Sequence, residues 1–367
     1  MLSAHPTRVT MAHMTAELRF GVLGAGQISR LACQELNLHP HARVVAASDP
    51  HPERLAELAL SLPGVRTFPD NQAVLDDPDV DAVFIATPNA FHAPLALAAL
   101  AAGKHVIVEK PFATNAREAQ AVVEQAARVG KLLSVGMNQR FLPAAQRVRE
   151  LVHTGKLGHV YHAKAFWFRR AGIPKLGTWF GKKSLAGGGA LYDIGVHLLD
   201  LALFVMDRFQ PVSVSGQTYR NFGHRGIGEG NWGLSERAHP EFDVDDSATA
   251  LLRFADGATL TLDVSWTIHQ KEADRMNVVV HGTEAGAGCY PGELYRFGAE
   301  PGDYEVSTLA ETPLLYPHAN RFHNFIGAVR GTEPLCVLPA QALAVQRILD
   351  AIYESSRLGR EVMLSQP

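Results

Sequence analysis

The first half of the chain alternates short apolar runs with amphipathic stretches, and few architectures accept that rhythm. Phe20 to Gly24 is an apolar run that enters a glycine turn, and Ile28, Leu31, Ala32 and Leu36 then recur at helical spacing. Val44 to Asp49 and Val80 to Ala86 are further apolar runs. An alanine- and leucine-rich helix over Pro94 to Ala102 meets Gly103, a residue suited to a helix end. His105 to Val108 is the next strand, a helix capped by Thr114 and ended by Gly130 follows, and Leu132 to Val135 closes the series. Short apolar strands separated by helices predict a parallel sheet covered on both faces, an α/β fold.

After about residue 140 the rhythm changes. One helix starts near Pro143 and stops by Gly155, and a second is expected over Ala190 to Val205. Strand-like stretches follow the first helix and the second: Val160–Phe168, Val212–Tyr219, Ala248–Phe254, Ala258–Trp266 and Asn277–His281. The Asp256-Gly257 pair between two of them signals a hairpin, because a tight primed turn needs positive φ. The glycine-rich stretch Asn221 to Leu234 reads as a long loop, and a last helix is expected near Ala340 to Ser356. At 367 residues the chain suits two domains. We expect a mobile tail over 1–17, a parallel-sheet domain over 18–140, and over 141–367 an α/β domain whose sheet is open and largely antiparallel.

Charge and cysteine content exclude several classes. Lysine and arginine number 34 against 37 acids, a net charge of −3, without the dense basic surface that nucleic acid requires. Cys33, Cys289 and Cys336 form neither a CxxC pair nor a disulfide framework, which fits a reducing compartment and makes the cytoplasm the default expectation. No apolar run approaches the roughly 18 residues that span a bilayer. Met1 to Glu17 also lacks the apolar core of a signal peptide, so no membrane partner is expected.

Gly24-Ala25-Gly26-Gln27-Ile28 links the first strand to the first helix. Gly24 can make the tight turn, Gly26 lets backbone approach a pyrophosphate, and the N–H groups from Gln27 and Ile28 onward open the helix toward that anion. Ser29 stands where glycine or alanine usually permits close helix packing, a departure from the fingerprint. Asp49 ends the second strand, 25 residues after Gly24, where a carboxylate accepts from a ribose diol and repels a 2′-phosphate. NAD(H) is therefore expected in preference to NADP(H). The competing reading is that Asp49 only opens the turn at Pro50.

Two further motifs carry chemistry. Glu109-Lys110-Pro111 follows the strand His105–Val108, at the carboxyl edge where open α/β sheets bind ligands. Gly187-Gly-Gly-Ala-Leu-Tyr-Asp193-Ile-Gly-Val-His197 puts Asp193 and His197 four residues apart, on one helix face. Alone, Lys110 reads as a surface lysine and Asp193 with His197 as an ordinary helix pair. A metal on Asp193, His197 and Asp200 is set aside, since no dedicated Cys/His cluster exists.

Together these motifs resemble the Gfo/Idh/MocA family, the glucose–fructose oxidoreductase and inositol dehydrogenase group. The resemblance runs through Gly21 to Gly26, Ala86-Thr-Pro-Asn-Ala-Phe-His92, Glu109-Lys110-Pro111, the glycine run before Asp193 and His197, and Ala351 to Arg360. It implies an N-terminal Rossmann domain followed by an α/β domain with an open mixed sheet that often serves oligomer contacts. Lys110, Asp193 and His197 match the family's catalytic positions, while Thr87, Pro88, Asn89 and His92 match its loop beside the nicotinamide. Glu109 and Lys110 join Gly24, Gly26, Gln27, Ile28 and Asp49 as the expected cofactor side.

The implied reaction is removal of a hydride and a proton from a secondary alcohol of a sugar-like small molecule. His197 is the expected base, oriented by Asp193, and Lys110 holds the substrate oxygen. Arg140, Trp167, Arg169 and Trp179 are candidate substrate contacts, although core tryptophans and structural arginines fit the same positions. Two alternatives remain open at this stage: redox-assisted glycoside cleavage with retained NAD, and a non-catalytic NAD-binding sensor. A homodimer or homotetramer through the second sheet is expected.

Overall fold

The computed structural model describes residues 17–232, 241–310 and 320–364. The expected tail, apart from Glu17, and the end of the loop expected over 221–234 lie outside them. In the first half, six parallel strands form one sheet: β1 (Leu18–Leu23), β2 (Ala42–Ser48), β3 (Arg66–Phe68), β4 (Ala82–Ile85), β5 (His105–Val108) and β6 (Leu133–Val135), in the order 3-2-1-4-5-6. Alternate residues of these strands feed two cores. Phe20, Val22, Phe84 and Ile107 enter one, and Leu23, Val83, Ile85, Val106 and Val108 the other. A two-residue period with both faces buried is what a near-continuous apolar run allows.

The connecting helices are α1 (Gln27–Asn37), α2 (Pro52–Ser61), α3 (Asn71–Leu75), α4 (His92–Ala101) and α5 (Ala116–Val129). The cap of α5 is Asn115, one residue beyond the expected Thr114: its side chain accepts from the Glu118 N–H at 3.0 Å. Thr114 instead donates its N–H and hydroxyl to the Glu118 carboxylate. The strand order reverses between β1 and β4, so their carboxyl ends open a crevice at the switch point of the sheet.

After α6 (Pro143–His153) comes β7 (Val160–Arg169), then α7 (Lys183–Ala186), a π-helical turn over Leu191–Gly195, and α8 (Val196–Met206). The second sheet adds β8 (Ser213–Tyr219), β9 (Ser247–Arg253), β10 (Thr259–Ser265), β11 (Asp274–Gly282), β12 (Gly286–Cys289), β13 (Gly292–Phe297) and β14 (Tyr304–Thr308). Two helices follow, α9 (Arg321–Val329) and α10 (Pro339–Leu358), and β15 (Val362–Met363) completes a nine-stranded sheet in the order 14-13-12-11-7-10-9-8-15. β7 and β10 run parallel and the other pairs antiparallel, the open mixed sheet expected. The β9–β10 hairpin turns at Gly257, whose φ is +86°.

Two further findings depart from the sequence reading. The helical stretch Lys183–Met206 does reach the length and apolarity of a membrane span. Burial accounts for it: 89% of its most apolar 18 residues are inside the fold, because α8 lies between the second sheet, α6 and α10 and buries every residue but His197. The other finding is α9, which was not anticipated. It returns from the second half to the first sheet, where Phe322, Phe325 and Ile326 join the core of Phe20 and Phe84.

Candidate active site

The carboxyl ends of β1 and β4 present the glycine turn and the loop after β4 side by side. Gly24 has φ +94°, and a Cβ there would lie 2.7 Å from the Ala86 carbonyl, so both conformation and close approach require glycine. Gly26 differs: a Cβ there meets nothing within 4 Å. Its lack of a side chain leaves open space over the N-terminus of α1, where no side chain caps the first N–H groups and Gln27 is exposed. The departure at Ser29 is absorbed locally, since its buried hydroxyl donates to the Gly24 carbonyl at 2.5 Å.

Asp49 is buried, and its carboxylate accepts from the Ala25 and His51 N–H groups at 2.8 Å and 2.9 Å. It thus ties the end of β2 to the glycine turn. In the loop after β4, Thr87 Oγ1 is buried with no hydrogen-bond partner among the described residues. Open space at a helix N-terminus and an orphaned hydroxyl beside it both fit a dinucleotide.

Other residues expected on the cofactor side hold loops together. Asn89 donates to the Ala186 carbonyl at 2.7 Å and joins this loop to α7. His92 is buried between the carbonyls of Pro111 and Thr87, at 2.7 Å and 2.9 Å; burial pushes its imidazole down while those carbonyls pull it back. Glu109 accepts from Arg321 of α9 and from the Lys110 N–H, so its carboxylate is occupied within the protein. Pro88 precedes the short turn that begins at Asn89.

Lys110 and Asp193 meet across the cleft. Lys110 Nζ donates to Asp193 Oδ1 at 2.8 Å and to the Asp193 carbonyl at 3.1 Å. Asp193 Oδ2 accepts from the Trp266 indole at 2.8 Å. Burial works against the Asp193 charge, yet Lys110, Arg169 and the indole hold its carboxyl below the usual range. The imidazole of His197 lies four residues on, past the π turn, a feature frequent at functional sites. Its Nδ1 is buried and has no partner among the described residues. Burial first and the Lys110 charge second push His197 well below 6.5, against the pull of Asp193. Both carboxylate oxygens of Asp193 are therefore engaged, one by Lys110 and the other by Trp266.

The glycine run before this turn has a packing cause. A Cβ on Gly189 would stand 1.8 Å from the Asp245 carbonyl oxygen. The Asp245 side chain accepts from the Gly189 and Leu191 N–H groups at 2.7 Å and 2.9 Å, and from the Tyr353 hydroxyl at 2.5 Å. Asp245 and Tyr353 of α10 therefore hold the start of the π turn. Neither they nor Trp266 and Arg321 were singled out from the sequence, since no local spacing marks them; Trp266 was legible only as a strand end.

The substrate-side expectations divide. Trp167 stands 6.3 Å from His197, ring to ring, and donates to Asp274 at 2.8 Å; the Arg169 guanidinium covers its other neighbourhood, 4.3 Å above the ring. Trp179 stacks on Phe180 at 3.9 Å, and Phe180 meets Trp232 edge-on. Arg140 is corrected. It is fully buried, clasps Asp200 through two bonds at 2.8 Å and 2.5 Å, and donates to Cys336 and Gln341. Its donors serve the packing between α8 and the segment before α10, not a substrate.

Known proteins resemble this chain in sequence and in fold. Residues 18–137 match the model of an oxidoreductase family with an NAD-binding Rossmann fold, and residues 145–287 match the GFO/IDH/MocA C-terminal domain. The D-glucoside 3-dehydrogenase of Escherichia coli (strain K12) is 30% identical over 358 residues, 96% of this chain and 99% of that protein. The structure of GenD2 from gentamicin A biosynthesis in complex with NAD superposes with a TM-score of 0.77 at 27% identity, over 100% of both chains. Levoglucosan dehydrogenase in complex with NADH and levoglucosan has the same fold, with a TM-score of 0.80 at 24% identity over 95% of this chain and 100% of that one.

Proposed function

The chain belongs to the Gfo/Idh/MocA family of NAD-binding oxidoreductases, and from that premise we propose that it oxidises a secondary hydroxyl of a sugar, glycoside or cyclitol. The observation that carries this reading is the pairing of Lys110 with Asp193 at 2.8 Å, one turn from a partly exposed His197, with Lys110 at the carboxyl end of β5 in the same sheet whose β1 enters the glycine turn. Bound NAD supplies the hydride acceptor. The protein supplies the rest. Lys110 donates a hydrogen bond to the substrate oxygen and stabilises it as negative charge develops. His197 is neutral and takes the hydroxyl proton. Trp167 and Arg169 offer an aromatic face and a planar donor beside that oxygen, which suits a polyhydroxylated ring.

We further propose NAD in preference to NADP. Asp49 keeps a carboxylate at the end of β2, where it accepts from a ribose hydroxyl and repels a phosphate. Self-association through the second sheet is also proposed. On its strands, Ala163, Ala165, Leu262 and Val278 are buried on the side of α8, while Lys164, Phe166, Phe168, Leu251 and Val279 on the opposite face keep exposure. Light scattering at micromolar concentration is expected to give a dimer or tetramer, and a monomer alone counts against it.

The test of the main reading is a screen of sugars, cyclitols and glycosides for NADH formation, with His197→Ala as control. The expected result is cofactor reduction by the parent and its loss in the variant. Cleavage of a glycoside without added cofactor, or cofactor binding with no substrate across the screen, would replace it with one of the rival activities.

A further inference from the structure

Trp266 lies at the end of β10, with no solvent exposure, and spends its single donor on Asp193. We propose that Trp266 is a positioning residue that decides which catalytic group Asp193 serves: by holding Oδ2 it commits Oδ1 to Lys110 and withholds the carboxylate from His197. This deepens the dehydrogenase reading and rests on it.

Asp193 has two oxygens, and each already has a donor: Lys110 on one at 2.8 Å and the indole on the other at 2.8 Å. His197, four residues along, has a buried Nδ1 with no partner among the described residues. A buried nitrogen without a partner, four residues from a carboxylate whose charge acts on it, is an arrangement that turning the carboxylate toward it would relieve. The indole opposes that rotation, because Trp266 is fixed in the core, where its ring also meets Phe242 at 6.5 Å.

The chemical consequence concerns the base. A carboxylate hydrogen-bonded to the imidazole would favour its protonated form. The charged groups acting on His197 are Lys110 after β5, Asp193 on the π turn, Arg321 of α9 and Arg169 of β7. Three are cations that keep the ring neutral, and Asp193 is the one group that works the other way. Engaging it elsewhere leaves His197 ready to accept a proton, and leaves Lys110 anchored where it meets the substrate oxygen.

Trp266→Phe keeps an aromatic ring in the same place and deletes one donor. The measurement is the titration of the His197 ring in histidine-labelled protein by NMR, assigned by the signal missing from His197→Gln. In the parent the ring is expected to stay neutral well below pH 6.5; in Trp266→Phe the midpoint moves up by about one pH unit, the effect of a new carboxylate partner. Adding Asp193→Asn to that variant should return it toward the parent value. A folded Trp266→Phe protein with the parent's midpoint overturns the proposal.

If Trp266→Phe does not fold, the indole N–H signal of Trp266 decides, read in the parent and in Asp193→Asn. It should shift when the carboxylate becomes an amide, and an unmoved signal overturns the proposal as well. Neither readout needs a substrate, so failure of the dehydrogenase reading and failure of this inference are told apart. With a confirmed substrate, the acid limb of alcohol oxidation should rise with the His197 midpoint in Trp266→Phe.

Discussion

At the carboxyl edge of the first sheet, the groups proposed to face a dinucleotide are mostly backbone: the N–H groups opening α1, the turn at Gly24 and the bare Cα of Gly26, with Asp49 the chief side chain. They lie within a short span of chain. The groups proposed to carry the reaction are instead side chains gathered from distant elements: Lys110 after β5 and Asp193 and His197 around the π turn, with Trp266 after β10 bonded to Asp193 and Tyr353 of α10 to Asp245. A phosphate is recognised by repeated N–H dipoles that any compatible turn can present. Proton transfer needs particular atoms at fixed separations, and those positions come from packing.

The comparison predicts that the two sides fail differently. The largest effect should come from His197→Ala or Lys110→Ala: turnover falls about 10²–10⁴-fold, roughly 3–5 kcal/mol, while cofactor affinity stays close to the parent's. Stopped-flow turnover beside an NADH fluorescence titration checks both. Near-normal turnover in both variants would break the assignment.

Two glycine substitutions sharpen the contrast next. Gly189→Ala sets a Cβ 1.8 Å from a backbone oxygen that cannot swing away, so stability should drop by about 3 kcal/mol, the upper range of overpacking. Gly26→Ala adds a methyl to open space. Its melting temperature should match the parent's, while dinucleotide affinity falls at least about tenfold, or 1.4 kcal/mol. Calorimetry and cofactor titration on the pair would expose a wrong reading if Gly26→Ala binds normally.

Asp49→Ser should cost less, about 1 kcal/mol in NAD affinity for one hydrogen bond, with a narrower gap to NADP. Equal affinity of the parent for both cofactors removes the basis for this.

The smallest change is a displaced midpoint. Only neutral imidazole accepts a proton, and His197 sits well below 6.5, so the acid limb of alcohol oxidation should fall below pH 6.5 rather than at it. His92 and His197 both have depressed folded values. Between about pH 6.5 and those values the unfolded chain binds more protons, so stability declines as pH falls through that window. Thermal melts across that range test the sign.

The parallel sheet, the glycine turn and Asp49 at the end of β2 were readable from the chain alone, because each depends on neighbours within a few tens of residues; Lys110, Asp193 and His197 stood out by local motif, but the meeting of Lys110 with Asp193 spans 83 residues and belongs to the tertiary structure. Apolar runs at a two-residue period with glycine and proline punctuation specify strand and helix locally. Other features depend on residues far apart in sequence, and only the tertiary structure decided them. Arg140 became a buried partner of Asp200, and α9 crossed back to the first sheet. Trp266 took one oxygen of Asp193, and Asp245 with Tyr353 closed over the glycine run. Whether a charged or hydrogen-bonding side chain faces a ligand or a partner inside the protein depends on which distant donor arrives within about 3 Å, and spacing along one chain carries no record of that.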